Sequence, residues 1–348
     1  MQGLLDAWDW DEPAELEYHP SGLINHTYWV RGASGRVLAV LQGLNTKVFR
    51  AVVHHDIQAI TRRVASAGLD TPFLVPTRAG ELWHTDPEGG VWRRMTVVGD
   101  RTIDKLDNPA DARSAGALVA RWHAAVQDLD HEFQMVRPDV HDTQRHMNAL
   151  AAAIESHTSH RLYDDMRRLG DELLEAWSRW QGPTGLQRRV VHGDLKISNI
   201  RFQGDRALAL IDLDTTARRT LDVEIGDAMR SWCNPLSEDS LDARFDVALF
   251  GAAMQGHAEG FGAVGASDFP TDDEWASFVP CTERIALELA ARFGKDALEE
   301  AYFAWDEKFG GHGEHNLVRA RGQALLARSL ADQRAAAEAA VAQARALV

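Results

Sequence analysis

Cysteine is nearly absent from this chain: 348 residues hold two, Cys233 and Cys281, with no pairing motif between them. That leaves no basis for a disulfide framework or a cysteine-based zinc site, and two reduced, buried thiols in a cytoplasmic protein are the expectation. Long apolar runs are missing as well. No stretch approaches the ~20 uninterrupted apolar residues that a membrane span needs, so no membrane partner is expected. Positive charge is in short supply, with 37 Lys and Arg against 52 Asp and Glu and a formal net charge of −15. Nucleic acid, whose phosphates need a basic face, is therefore set aside as a partner. A single nucleotide is not, because a few local donors and a magnesium ion neutralise one triphosphate. The acidic, tryptophan-bearing start MQGLLDAWDWDEPAE does not read as a signal or transit peptide. The 15 histidines show no metal-ligand spacing.

What is present suits two lobes, each able to bury its own core. Tyr28-Trp29-Val30 and Val37 to Leu41 are β-prone runs around the turn Arg31-Gly32-Ala33-Ser34-Gly35. Val48 to Ala67 carries apolar residues at helical spacing and is ended by Gly68, which predicts a helix. Further strands are expected around Gly80 to Trp83 and over Val91 to Val98. Beyond Asp100 the pattern turns helical, at 108–127, 141–157 and 162–180, and again from Asp222 to a last helix over 317–348 with a solvated, Ala-rich end. The expected class is α+β and bilobal, with a small β-rich lobe at 1–98 and a larger, mostly helical lobe at 99–348.

The chemistry is concentrated at 190–214. Phosphoryl transfer needs a carboxylate to orient the attacking hydroxyl and oxygen ligands to hold Mg²⁺ on the nucleotide phosphates. In His192-Gly193-Asp194-Leu195-Lys196-Ile197-Ser198-Asn199, Asp194 follows His192 by two and precedes Asn199 by five. That is the kinase catalytic-loop spacing, with Asp194 as base and Asn199 as metal ligand. Ile200-Arg201-Phe202 and Ala207 to Ile211 flank Gln203-Gly204-Asp205-Arg206 as a β-hairpin would. A hairpin returns Asp212 to Asn199 as the second metal ligand. His192 is expected to orient and pack, Lys196 to be a surface group or a phosphate partner, and Asp214 to be a support.

In these motifs the chain resembles the aminoglycoside phosphotransferase and choline-kinase-like superfamily, whose fold is bilobal and protein-kinase-like. Within it the chain looks most like the N-acetylhexosamine 1-kinases. The resemblance is carried by Gly22-Leu23-Ile24-Asn25-His26-Thr27-Tyr28, Leu41-Gln42-Gly43-Leu44-Asn45, Val48-Phe49 and His141-Asp142-Thr143. Downstream it continues in Ile211-Asp212-Leu213-Asp214-Thr215, Ile225 to Arg230, Arg292-Phe293, Tyr302-Phe303 and His315 to Arg321. It implies ATP as co-substrate, Mg²⁺ as cofactor and a sugar hydroxyl, the anomeric one of an N-acetylhexosamine, as acceptor. The rival acceptors are an aminoglycoside, choline, homoserine or another small alcohol, and the rival of another class is a non-catalytic nucleotide-binding regulator.

Protein kinases place a lysine on the third strand, where this chain has Gln42, as the resemblance to the hexosamine kinases implies; a neutral amide brings hydrogen bonds but no full charge. Lys47 is the nearest cation in sequence. Gly22, with Asn25 and Thr27, forms either a phosphate cradle or a plain β-turn. By fold analogy the adenine meets backbone at Thr96 and Val97. The acceptor is expected among Arg230, Asn234 and Arg292, with Trp232, Glu283 and Arg284 as further candidates and Asp227 bracing the catalytic loop.

Overall fold

The computed structural model of the chain describes residues 2–20, 24–135, 140–236, 238–266 and 268–348. The fold is α+β and divides into two compact units. The β-rich unit takes in Met1–Thr102, Ala125–Arg137 and Asn199–Arg218, and the mainly helical unit Ile103–Ala124, Pro138–Ser198 and Arg219–Val348. In chain order the elements begin with α1 (Gln2–Leu5), β1 (Ala14–His19), β2 (His26–Gly32), β3 (Val37–Gly43), α2 (Val53–Ser66), β4 (Leu74–Val75), β5 (His84–Thr85), β6 (Val91–Met95) and β7 (Arg101–Thr102). Next come α3 (Pro109–Val126), α4 (Thr143–Ser156), α5 (Tyr163–Arg179), β8 (Arg188–Val191), β9 (Ile200–Gln203), β10 (Arg206–Leu210) and β11 (Ala217–Thr220). The helices α6 (Leu221–Trp232), α7 (Val247–Ala263), α8 (Asp272–Glu299), α9 (His312–Asp332) and α10 (Arg334–Arg345) complete the chain.

In the β-rich unit an antiparallel sheet runs β1-β2-β3-β6-β4, with β5 also paired to β6. Alternation along β2 and β3 gives the sheet two unlike faces. One face carries Val30, Ala39 and Leu41, which pack with Leu4, Leu5 and Trp8; each such large side chain contributes roughly 1.5–3 kcal/mol by burial. The other face carries Thr27, Gln42 and Arg93, which stand opposite one another on β2, β3 and β6. Helix α2 closes in a Schellman turn, with the Gly68 N–H on Ala65 O at 2.9 Å and the Leu69 N–H on Val64 O at 3.2 Å. Gly68 supplies the left-handed residue (φ +78°) that this turn requires. The helix starts at Val53 because Val48 and Phe49 are drawn into a turn on Asn45 O. The strand expected around Gly80 to Trp83 forms slightly later, as β5 paired with β6, after a turn closed by the Gly80 N–H on Thr77 O. Strand β1 escapes sequence reading because AELEYH buries none of its residues fully, as an edge strand can afford. The hairpin β9/β10 forms as expected, and β7 adds to β9.

In the helical unit, α8 is the central column, packed on by α4, α5, α6, α9 and α10. A capping box between Thr271 and Glu274 starts it, a device that contributes about 1 kcal/mol. Helices α3 and α7 cross backbone against backbone. A Cβ at Gly116 would stand 2.1 Å from Ala253 O, and one at Gly256 would stand 1.9 Å from Arg113 O. The helix expected over 317–348 breaks at Gln333 into α9 and α10. Its Ala-rich end is no solvated tail: Ala337, Val341 and Ala344 are buried where α10 packs on α7 and α8. No helix among the described residues is long and apolar enough to cross a membrane.

Candidate active site

In the helical unit, β8 leads into the loop that carries Asp194. Glu224, in the first turn of α6, is buried and accepts the His192 N–H at 2.7 Å and the Gly193 N–H at 2.8 Å. His123 Nε2 meets the same carboxylate at 3.2 Å. Burial opposes the negative charge, but His123, His192 and the Gly193 N–H outweigh it and hold the Glu224 carboxyl below its ordinary range. On the far side of Asp194, Trp232 donates its indole N–H to Leu195 O at 2.7 Å. The loop backbone is thus clamped before and after Asp194. His192 is fully buried against Trp122, and its Nδ1 accepts the Asp194 N–H at 3.3 Å; it orients the loop. The Asp194 carboxylate is 32% exposed and lies 3.2 Å from Lys196 Nζ.

The bracing role expected of Asp227 therefore falls to Glu224, nearly one turn earlier on α6. Asp227 pairs with Arg230 at 2.9 Å, and Arg230 also binds Glu238. Burial works against the Asp227 charge, but Arg230, His141 and Arg292 hold its carboxyl below the usual range. Asp227 also lines a small recess together with His141, Gly193, Arg219 and Val223. Asn234 is buried and accepts the Leu236 N–H at 3.3 Å. Arg292 lies over the Phe303 ring at 5.7 Å and, though its charge reaches Asp227, makes no ion pair among the described residues. Glu283 is bound by Arg334, and Arg284 lies 3.3 Å from Asp222. The C-terminal segment is built around Asp296, which accepts the N–H groups of Ala301, Tyr302 and Phe303 and also binds His312 and Asn316.

In the β-rich unit the hairpin β9/β10 brings its two ends together: the Ile211 N–H donates to Asn199 O at 2.9 Å, with Asp212 the next residue. Asp212 is left-handed (φ 64°, ψ 54°), a conformation that costs a non-glycine residue about 1–3 kcal/mol. Asp214, two residues on, is buried and fully engaged. Arg93 binds its two oxygens at 2.6 Å each, and Asn25 Nδ2 donates to one of them at 3.2 Å. Asp214 is accordingly a support. Arg93 also donates from Nε (3.0 Å) and Nη2 (2.7 Å) to Gln42 Oε1, and Gln42 Nε2 donates to Thr27 Oγ1 at 3.0 Å.

Sequence reading missed Arg93, the buried cation beside Gln42. Lys47, the candidate it raised, is exposed. Burial opposes the guanidinium charge, but Asp214 and then Asp212 hold Arg93 above its ordinary pKa. His54 of α2, buried and facing this cation, is pushed down to about 4 and is neutral near pH 7. The signal for Arg93 lay in strand register: a residue directly opposite Gln42 must share its face.

Gly22 lies outside the described residues. Asn25 has both ends of its amide in use, donating to Asp214 and accepting the Asn45 N–H at 3.0 Å. Thr96 is tied to Phe73 twice, through its N–H to Phe73 O and through its hydroxyl from Phe73 N–H. Val97 is 37% exposed, and its backbone N–H has no partner among the described residues.

An oxygen-donor pair suits a hard divalent ion, and Asn199 and Asp212 are such a pair. Burial opposes the Asp214 charge, but Arg93 above all, with Asp212 after it, holds its carboxyl below the ordinary range. No group of three His, Cys, Asp or Glu that could hold a metal occurs among the described residues.

The fold belongs with the kinases that act on small molecules. A microcompartment-associated aminopropanol kinase superimposes with a TM-score of 0.62 at 17% identity, covering 97% of each chain. An amicoumacin kinase, solved with AMP-PNP and Ca²⁺, superimposes with a TM-score of 0.60 at 14% identity, covering 93% of this chain and 91% of that one. Residues 15–259, more than two thirds of the chain, match the phosphotransferase enzyme family. The chain belongs to that family and is a small-molecule kinase. A homoserine kinase of Methylobacillus flagellatus is 24% identical over 303 residues, 87% of this chain and 85% of that protein.

Proposed function

We propose that the chain transfers the γ-phosphoryl group of ATP to a hydroxyl of a small sugar, the anomeric hydroxyl of an N-acetylhexosamine. The observation that carries the phosphotransfer reading is the clamped loop, which fixes the Asp194 backbone on both sides and leaves its carboxylate partly exposed. Asp194 orients the sugar hydroxyl and takes its proton as the O–P bond forms, and Lys196 supplies positive charge beside it. Asn199 and Asp212 would hold Mg²⁺, which when bound neutralises phosphate charge. Residues 1–98 act as the nucleotide-binding lobe, with the Val97 N–H meeting adenine. The helical lobe from residue 99 on supplies the acceptor groups.

The sugar assignment rests on the hexosamine-kinase-like segments and on charge balance in the helical unit. Asp227, Glu238, Asp239, Glu288 and Asp222 each already face a basic side chain. A cationic acceptor such as an aminoglycoside or choline would find these carboxylates taken. A neutral acceptor rich in hydroxyl groups needs hydrogen-bonding partners instead, and Arg230, Asn234 and Arg292 are the candidates for that role. One observation favours a second reading: Arg292, in no ion pair among the described residues, would suit the carboxylate of a homoserine-like acceptor. Phosphate release or ADP production with N-acetylhexosamines, homoserine, amino alcohols and aminoglycosides separates these. Turnover with an N-acetylhexosamine supports the proposal, turnover with aminoglycosides alone sinks it, and nucleotide binding with no turnover favours a regulator.

A further inference from the structure

Thr27, Gln42 and Arg93 form a row across three neighbouring strands on one face of the sheet. At one end, Arg93 is anchored by Asp214 through two 2.6 Å bonds. From there it aims two further donors at a single acceptor, Gln42 Oε1, at 3.0 and 2.7 Å. A guanidinium has donors only, so the oxygen of the Gln42 amide must face it and the NH₂ must face away. That NH₂ puts one hydrogen on Thr27 Oγ1 at 3.0 Å. Having accepted there, the Thr27 hydroxyl is free to donate its own hydrogen. The second Gln42 N–H and the Thr27 O–H have no acceptor among the described residues. Asp214 fixes Arg93 by accepting from it, and from Arg93 outward each bond runs the same way, Arg93 to Gln42 and Gln42 to Thr27.

We infer that Arg93 is a positioning residue for the donor nucleotide, presetting Gln42 and Thr27 as a pair of hydrogen-bond donors for the triphosphate. The inference rests on the proposed ATP-dependent reading and deepens it. It also accounts for the missing strand lysine. Because Asp214 already neutralises Arg93, the row offers oriented N–H and O–H groups and little net charge. Oriented donors in a water-poor setting polarise one another and strengthen each bond they make.

The test uses the full chain, with MgATP affinity measured by calorimetry and turnover measured separately. Gln42→Glu keeps a partner for Arg93, so the fold is retained while the NH₂ donors are lost; MgATP affinity is expected to fall at least about tenfold. Thr27→Val keeps the shape and removes the hydroxyl, with an expected loss of about five- to tenfold. Arg93→Lys keeps the charge for Asp214 but loses the two-donor grip on the Gln42 oxygen, and affinity should fall with the acceptor KM unchanged. The Gln42→Glu/Thr27→Val double variant should lose less than the product of the single losses, because the two donors belong to one chain of bonds. Wild-type MgATP affinity in Gln42→Glu, or losses that appear only as a lowered Tm, would overturn the inference. MgATP affinity that falls as expected in a protein that phosphorylates no acceptor would uphold the donor pair and reject the phosphotransfer reading.

Discussion

Glu224→Gln tests whether one buried carboxylate holds the catalytic loop. Glu224 accepts two loop N–H groups and meets His123, three partners on two oxygens. Hydrogen bonds to a charged group are each worth about 1.5–3 kcal/mol. A glutamine retains one oxygen but turns an NH₂ toward a donor, so one bond is lost and one donor is left buried without a partner. A cost of about 3–4 kcal/mol follows. In a unit of this size 1 kcal/mol moves Tm by about 2–4 °C, which gives a drop on the order of 6–15 °C by thermal melting. The effect carries a pH signature. The folded-state pKa of Glu224 is depressed below its ordinary 4.5, so its contribution is complete above that value and is lost as pH falls through the depressed folded-state pKa. The Tm gap between wild type and variant should be full at pH 7 and narrow below about pH 4.5. Loop loosening should also lower kcat by about 10- to 100-fold, since small misplacements of a catalytic group are costly. A variant that melts within 1–2 °C of wild type at pH 7, or a gap that does not change with pH, would refute the reasoning.

Arg93→Met leaves the buried Asp214 carboxylate without its cation and should destabilise the β-rich unit by about 3–5 kcal/mol, measured by denaturant unfolding. Gly256→Ala forces a Cβ onto Arg113 O at the α3–α7 crossing. It should lower stability by about 2 kcal/mol or more, whereas Gly262→Ala on the same helix meets nothing and should cost less than about 0.5 kcal/mol. Chelation of divalent metal should abolish turnover, and Mg²⁺ should restore it, in a coupled ADP assay.

The hairpin that follows the Asp194 loop was legible because the signal is local. Asp194, Asn199 and Asp212 lie within nineteen residues (194–212), and Gly204 marks the turn that folds them. Arg93 was not legible, since it lies fifty-one positions from Gln42 and its relevance depends on the β3–β6 register. Glu224 and Asp227 sit on one helix, three residues apart, and only the rotation of α6 against the loop decides which faces it. The Ala-rich α10 looked solvated because small side chains bury little apolar area each, yet its stripe at 337, 341 and 344 is spaced for a helix face. The C-terminal residues that carry the family resemblance are, in part, architectural: Asn316 serves Asp296, and His315 and Arg319 serve Asp239.

The most direct test of the account is the turnover number of Asp194→Asn beside wild type, with MgATP affinity measured on both. Asp194 is partly exposed and its backbone is held by other residues, so the variant should fold and bind MgATP as wild type does. The account predicts that kcat falls by about 10²–10⁴-fold with nucleotide affinity unchanged. A variant that keeps turnover within about threefold of wild type would contradict the assignment of Asp194 as the base.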